Sequence, residues 1–237
     1  MKNLKQDFKK FANSKGIPST TLLDYENKGF IPSIYNSMSA DPNNLTPYIY
    51  EQGDRKGTMM DVFSRLMMDS TIFLGTGVGE EISNIIVAQL LFLDSQIKKD
   101  ITMFISSPGG SVYAGNGIID TMNYINQDIS TINISLAASM GAVILSNGTK
   151  GKRFALPLSR TMIHQVSSGT EGTFSDMKIA IRETESVKKD LYEVLAINTG
   201  KTVEQIEKDC DRDYWMKSQE ACDYGLVDQV IVSLKKK

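Results

Sequence analysis

A serine hydroxyl attacks a carbonyl only when a base takes its proton, and this chain holds a single imidazole for that task, His164. Ahead of it lies Ser139, inside the small-residue stretch Ala137-Ala138-Ser139-Met140-Gly141. Behind it lies an acidic cluster, Asp209, Asp211 and Asp213, whose carboxylates are the kind of group that orients an imidazole and stabilises its cation. Serine, histidine and aspartate in that order suit acyl transfer through a covalent intermediate, provided the fold brings them together. The residues around Ser139 resemble a nucleophile elbow, the sharp strand-to-helix turn that lifts a hydroxyl out of a sheet and offers backbone N–H groups to an oxyanion. Ala137 stands where the usual pattern has its first glycine. Each piece has a plainer reading: close packing for the pentapeptide, a core histidine beside Met162 and Ile163, a solvated turn for the aspartates. Taken alone, the pentapeptide and the aspartates favour the plainer reading; for His164, a serine ahead and acids behind shift the balance to the chemical one. A second turn, Ser107-Pro108-Gly109-Gly110-Ser111, leaves a backbone N–H unobstructed, as an oxyanion hole requires, or is merely a tight link from strand to helix.

The elements that must position these residues alternate. Thr58 with Asp61 reads as a capping pair for a helix whose Val62, Phe63, Leu66 and Met67 share a face. A strand at Thr71–Leu74, a glycine turn at Gly75–Gly79 and a helix marked by Ile82, Ile85, Ile86, Leu90, Leu93 and Ile97 follow. A strand over Ile101–Ser106 leads through the Pro108-Gly109-Gly110 turn to a helix using Val112, Ile118, Ile119, Met122 and Ile125. Thr131–Leu136 is the next strand, with a small-residue helix from Ser139 to Leu145 and extended pieces at Arg153–Leu156 and Thr161–Gln165. Thr173 with Asp176 opens a long helix that Gly200 stops, and Thr202 with Gln205 caps a short one. Ser218–Tyr224 is a last helix, and Val230–Leu234 a closing strand. This alternation means an α/β fold with buried strands. Residues 1–57 differ, with prolines at 18, 32, 42 and 47 in turn-like settings and no sustained apolar period. They read as an extension that carries little of the core, and residues 58–237 as the folded domain.

Composition removes other classes. Lys plus Arg is 26 against 28 for Asp plus Glu, a net charge of −2, which argues against a nucleic-acid or anionic-membrane binder. Hydrophobic residues at 41% and charged residues at 23% fit an ordered globular chain. One histidine excludes a multi-histidine zinc site, and two cysteines, Cys210 and Cys222, make no disulfide framework, which favours a reducing compartment. Cys210 lies three residues before Asp213, so its oxidation would reach the aspartate, although free cysteines are usually just buried. The absence of a long apolar run, and of an apolar core behind the basic Met1–Phe11, leads to the expectation of a cytoplasmic chain. Gly75-x-Gly77-x-Gly79 falls short of a dinucleotide fingerprint because Glu80 stands near where the third glycine belongs. Lys150-Gly151-Lys152-Arg153 fails as a P-loop, with Ser146 at the leading glycine position and Arg153 after the lysine. No cofactor or metal is expected.

Eight separated stretches, in order, resemble the proteolytic subunit of the Clp protease from about Leu45 to Val232. They are Phe63–Leu66, Ile72–Gly75, Ser107–Val112, Ala137–Ala142, Gly151–Arg153, Met162–Gln165, Asp211–Trp215 and Tyr224–Asp228. The resemblance implies a spiral of β-β-α units, shared with the crotonases, with a protruding handle helix from Asp176 onward. It implies Ser139 as nucleophile, His164 as base and acid, Asp213 as orienting carboxylate, and the N–H groups of Gly110 and Met140 as oxyanion hole. Substrate would lie extended beside Ser167–Gly172 as an added strand. The family forms two stacked heptameric rings, a homo-tetradecamer, fed with unfolded polypeptide by a separate hexameric Clp-type ATPase. Phe104, Ile132, Ile134, Phe154, Leu156 and Ile231 fall where the family docks that ATPase, with burial in the core as the rival reading. The sequence departs from the family at Val166-Ser167-Ser168, where a proline and a glycine pair are usual, and at Thr102, where an aromatic is usual. The segment to about Asn44 is longer than many members carry, as a self-cleaved propeptide or a lasting addition at the axial pore. Two alternatives stand beside the peptidase: a crotonase-like acyl-CoA lyase or isomerase, and a catalytically silent ring subunit. For a peptidase with His164 as base, activity falls as the imidazole takes a proton in acid.

Overall fold

The structure, a computed structural model, describes residues 48–51, 58–96 and 98–232. The expected extension therefore lies outside the described residues except for Tyr48–Glu51, as do Ile97 and the last part of the expected closing strand. The chain divides into two compact units between Arg65 and Leu66. In the first, β1 (Tyr48–Glu51) and β2 (Thr58–Asp61) form an antiparallel pair, with Glu51 opposite Thr58. Thr58 is thus in a strand and does not cap the helix. Asp61 does: its Oδ1 accepts the N–H groups of Phe63 and Ser64 at 3.0 and 3.1 Å, opening α1 (Val62–Met68).

The second unit is built on a seven-stranded sheet. Its main path runs β3 (Thr71–Leu74), β4 (Ile101–Ser107), β5 (Ile129–Ala138), β6 (Arg153–Ala155) and β9 (Gln229–Val230), all parallel. Burial alternates strictly along β4, which buries Ile101, Met103, Ile105 and Ser107 and leaves Thr102, Phe104 and Ser106 half-buried. β5 is long enough for two partners. Thr131–Asn133 pairs with β6, and Leu136–Ala138 with β7 (Arg160–Ile163), to which β8 (Tyr214–Lys217) adds antiparallel. Strand β8 was not expected from the sequence; only Met216 of its four residues is buried, so hydropathy gives it no period. The closing strand is shorter than expected, two residues against the five of Val230–Leu234.

Helices α2 (Glu80–Gln96) and α3 (Val112–Tyr124) follow β3 and β4. The buried stripe of α2 is Ser83, Ile86, Leu90 and Leu93, whereas Ile85 is exposed. Ser83 fits inside because its hydroxyl donates to the Ala114 carbonyl at 2.7 Å, which hydropathy alone does not see. The short α4 (Met140–Ser146) buries every residue. The long α5 (Phe174–Thr199) starts on the Thr173 cap and stops at left-handed Gly200, as expected. Its buried residues begin only at Val187, so the first half buries nothing within the chain, as a protruding handle would. Helices α6 (Val203–Asp209) and α7 (Ser218–Tyr224) complete the unit. The result is the expected mixed α/β fold.

One ion pair ties these layers together. Arg153 is 3% exposed and grips Asp228 with Nε at 2.9 Å and Nη2 at 2.6 Å. Its Nη1 donates to the carbonyls of Ser146 and Asn198, at the ends of α4 and α5. Burial alone would raise the Asp228 carboxyl, but the Arg153 guanidinium and the Gly151 N–H hold it below the usual carboxylate range. Two of the eight family stretches, Gly151–Arg153 and Tyr224–Asp228, therefore meet in a structural clamp.

Candidate active site

Ser139 follows the last residue of β5 and takes the N-cap position of α4 with φ 54° and ψ −126°, a conformation that L-residues rarely adopt. Such strain costs about 1–3 kcal/mol and persists where packing over-determines it. Here Ala138 and Met140 on either side are buried, and the Ser139 N–H donates to the Met162 carbonyl at 2.8 Å. Gly109, at φ +88°, lies so close that a Cβ there would stand 2.6 Å from the Ser139 Cβ and from the Ala138 carbonyl oxygen. Ala137, the departure from the usual elbow, is squeezed between Ser107 of β4 and Thr161 of β7. The elbow geometry rests on Ser139 itself, so an alanine two residues earlier leaves it intact.

His164 follows the last residue of β7. Its Nε2 lies 2.9 Å from the Ser139 Oγ, and its Nδ1 lies 3.1 Å from the Asp213 Oδ1. The β7–β8 register explains the second contact: Ile163 pairs with Tyr214, and continuing it by one residue sets His164 opposite Asp213. The other two aspartates are engaged elsewhere. Asp209 accepts from the Tyr224 hydroxyl and the Gln205 amide, both at 2.8 Å. Asp211 lies against Arg212 at 3.7 Å. The structure thus separates three carboxylates that composition leaves equivalent.

Gly110, with φ +150°, sits in a parallel bridge with Val78. That bridge uses the Val78 N–H to the Gly109 carbonyl and the Ser111 N–H to the Val78 carbonyl. The Gly110 N–H takes no part in it, and among the described residues no turn or cap bond uses that N–H or the Met140 N–H. Both residues border a cavity of about 210 Å³ that also reaches Ser139 and His164. Much of the remaining lining is apolar, with Val112, Val143, Ile163, Leu191 and Leu195. Leu191 and Leu195 come from the buried face of α5. Among the described residues, no Asp or Glu lines the cavity. Tyr192 also lines it and is 3% exposed, and burial, with Cys210, Glu207 and Asp211 nearby, pushes its phenol up to about 12.

The unusual stretch Val166-Ser167-Ser168 has partners of its own. Val166 packs on the core, and the Ser168 hydroxyl meets that of Thr184 on α5 at 3.2 Å. Because Thr184 donates its proton to the Ala180 carbonyl at 2.9 Å, Ser168 is the donor between them. Residues 167–172 are exposed and belong to no strand. Lys152 binds Asp100 and Asp128 at 2.5 and 2.8 Å, so the near-P-loop stretch is engaged with carboxylates. Cys210 is fully buried, and that burial pushes its thiol up to about 12. The thiol is thus buried and inert, as free cysteines usually are. No group of metal-ligating side chains and no helix long and apolar enough to cross a membrane occurs among the described residues.

Comparison with known proteins gives one consistent answer. Residues 53–234 match the family model for the Clp protease. A protein of Porphyromonas gingivalis, named ATP-dependent Clp protease proteolytic subunit, is 50% identical over 232 residues, covering 97% of this chain and 99% of its own. That span reaches well into the N-terminal segment. Proteins of the same name from Bacteroides thetaiotaomicron and Bacteroides fragilis are 51% and 45% identical over 227 residues, 95% of this chain and 98% of theirs. With a matching model over most of its length and relatives this similar from end to end, the chain belongs to the Clp protease family.

Proposed function

We propose that this chain is a serine endopeptidase that cleaves unfolded polypeptide through an acyl-enzyme. The observation that carries the reading is the run of contacts about the single histidine, 2.9 Å to the Ser139 Oγ and 3.1 Å to the Asp213 Oδ1. With Asp213 accepting from Nδ1–H, the Nε2 lone pair faces Ser139 and takes its proton as Oγ attacks the scissile carbonyl. The N–H groups of Gly110 and Met140 receive the oxyanion. The imidazolium then gives its proton to the leaving amine, and water repeats the sequence to release the acid. Substrate lies extended along Ser167–Gly172, and the apolar wall takes the side chain before the cut, so apolar residues are favoured there.

The relatives are named ATP-dependent, while the stretch nearest a P-loop here is tied up with Asp100, Asp128 and Asp228. A separate hexameric Clp-type ATPase accordingly supplies the unfolding. Its docking face is the half-buried side of the sheet: Phe104, Ile132 and Phe154 stand in register across β4, β5 and β6, and Phe73 stacks on Phe104 at 5.1 Å. Ile134, Leu156 and Ile231 are half-buried as well, so none of the six expected docking residues is in the buried core. The chain works as two stacked heptameric rings joined through α5, in the cytoplasm, with residues 1–57 as propeptide or axial segment. Turnover of a fluorogenic dipeptide by the purified chain tests the reading. It should be present in the wild type and absent in Ser139→Ala; a wild-type chain without turnover would be a silent subunit.

A further inference from the structure

The carboxylate end of the triad has little to hold it. The Asp213 side chain is 60% exposed, and its one described partner is His164. Its position is therefore set by its backbone, and that backbone is leaving the sheet: the β7–β8 ladder ends at Ile163 and Tyr214. His164 and Asp213 are the first residues beyond that end, where strands are free to splay. On the Asp213 side, the chain back to the buried Cys210 is an exposed turn, with one long bond from the Asp211 N–H to the Lys208 carbonyl at 3.5 Å. One side chain crosses the gap. The Gln165 Nε2 donates to the Asp211 carbonyl at 2.8 Å, with the acceptor on the far side of the triad carboxylate from the ladder.

We propose that Gln165 is a positioning residue, its amide replacing the ladder rung that would follow His164 and Asp213 and so holding Asp213 against the imidazole. The assignment rests on the peptidase reading of the site and adds a coupling to it. Gln165 is followed directly by Val166 and Ser167, which line the cavity where substrate lies. A peptide that orders Val166–Ser167 also steadies Gln165, and through the Asp211 carbonyl it steadies Asp213. Substrate occupancy and triad geometry thus share one side chain. A side chain that fixes a reacting group in this way acts on turnover more than on affinity, and a misplacement on the order of 1 Å costs about 10²-fold.

The test uses the assembled full-length chain and three forms at this position. Gln165→Glu keeps the shape and removes the donor; Gln165→Lys restores one. For a fluorogenic dipeptide, Gln165→Glu should lower kcat by roughly 10–100-fold with KM changed less than about twofold, and Gln165→Lys should recover most of the loss. Equal kcat in wild type and Gln165→Glu, a loss confined to KM, or a Lys form as impaired as the Glu form each overturns the proposal. A second readout does not need activity. Because the chain has one histidine, ¹⁵N-histidine labelling reports a single ring, and the Gln165→Glu signals should move away from the Nδ1–H tautomer that Asp213 selects. Unchanged signals in a correctly assembled Gln165→Glu chain also overturn it. Absence of turnover in the wild type would instead defeat the peptidase reading, while the ring signals still decide the tie.

Discussion

The two ends of the proposed triad are held by opposite means. Ser139 is strained, flanked by buried residues and pressed by Gly109, so neighbouring packing dictates its geometry. Asp213 is exposed and unstrained, placed by strand register and by a single side chain beyond the ladder. The contrast has a physical lesson. A nucleophile that must sit at positive φ needs close packing around it, whereas a carboxylate that only orients a ring needs its backbone aimed. Substitutions at the first end should disturb folding and chemistry together, and those at the second chemistry alone.

The sharpest separation comes from Asp213→Asn. Loss of the correct tautomer should lower kcat by about 10⁴. Unfolding by urea should shift by no more than about 0.5 kcal/mol, as for other exposed sites. A comparable loss of stability would mean that Asp213 is a packing residue after all. Arg153→Ala is the converse, far from the hydroxyl but central to the layers. Removing one partner of a buried pair costs about 3–5 kcal/mol, read as a lower urea midpoint. The same pair sets an acid limit. Because the folded-state pKa of Asp228 lies below its usual 3.8, its contribution is complete above that value and is lost as pH falls through the lower folded one. Asp228→Asn should remove that part of the acid dependence of the midpoint; an unchanged acid limb would assign it to other carboxylates.

Gly109→Ala probes the elbow directly. The added Cβ meets backbone and the Ser139 Cβ at 2.6 Å, at a φ of +88° that alanine resists. Strain and overpacking together should cost at least about 2 kcal/mol, and turnover should fall with the midpoint. A stable, inactive variant would show that elbow packing and folding are separable. The smallest effect belongs to Cys210. Fully buried, with its thiol raised to about 12, it should stay unmodified by iodoacetamide in the native chain, with turnover unaltered. Native-state alkylation would show that the Asp209–Asp213 segment opens readily.

That Ser139, His164 and an aspartate should meet was legible because acyl-transfer chemistry needs these side-chain types and the chain has one histidine to offer. Which aspartate lies beside His164 was not legible from the residues alone, since it depends on a β7–β8 register that no local pattern encodes; the family resemblance pointed to Asp213. Strand β8 itself was missed because Tyr214 and Trp215 are exposed, which breaks the alternation that marks a strand. Ile85 was placed on the apolar stripe and Ser83 passed over because hydropathy cannot register a buried hydroxyl with a good acceptor. Long elements with strong caps, such as α5 between Thr173 and Gly200, were read correctly because local hydrogen bonds define both ends. Gly109 and Gln165 stood in motifs quoted from the sequence, yet their roles are contacts across the fold.

Covalent mapping tests the central claim most directly. Intact-mass analysis of the assembled chain after treatment with a fluorophosphonate, followed by peptide mapping, should find one adduct per chain, on Ser139. Labelling should vanish in Ser139→Ala and slow strongly when His164 is replaced. An adduct on any other residue, or persistent labelling of Ser139→Ala, would contradict the account.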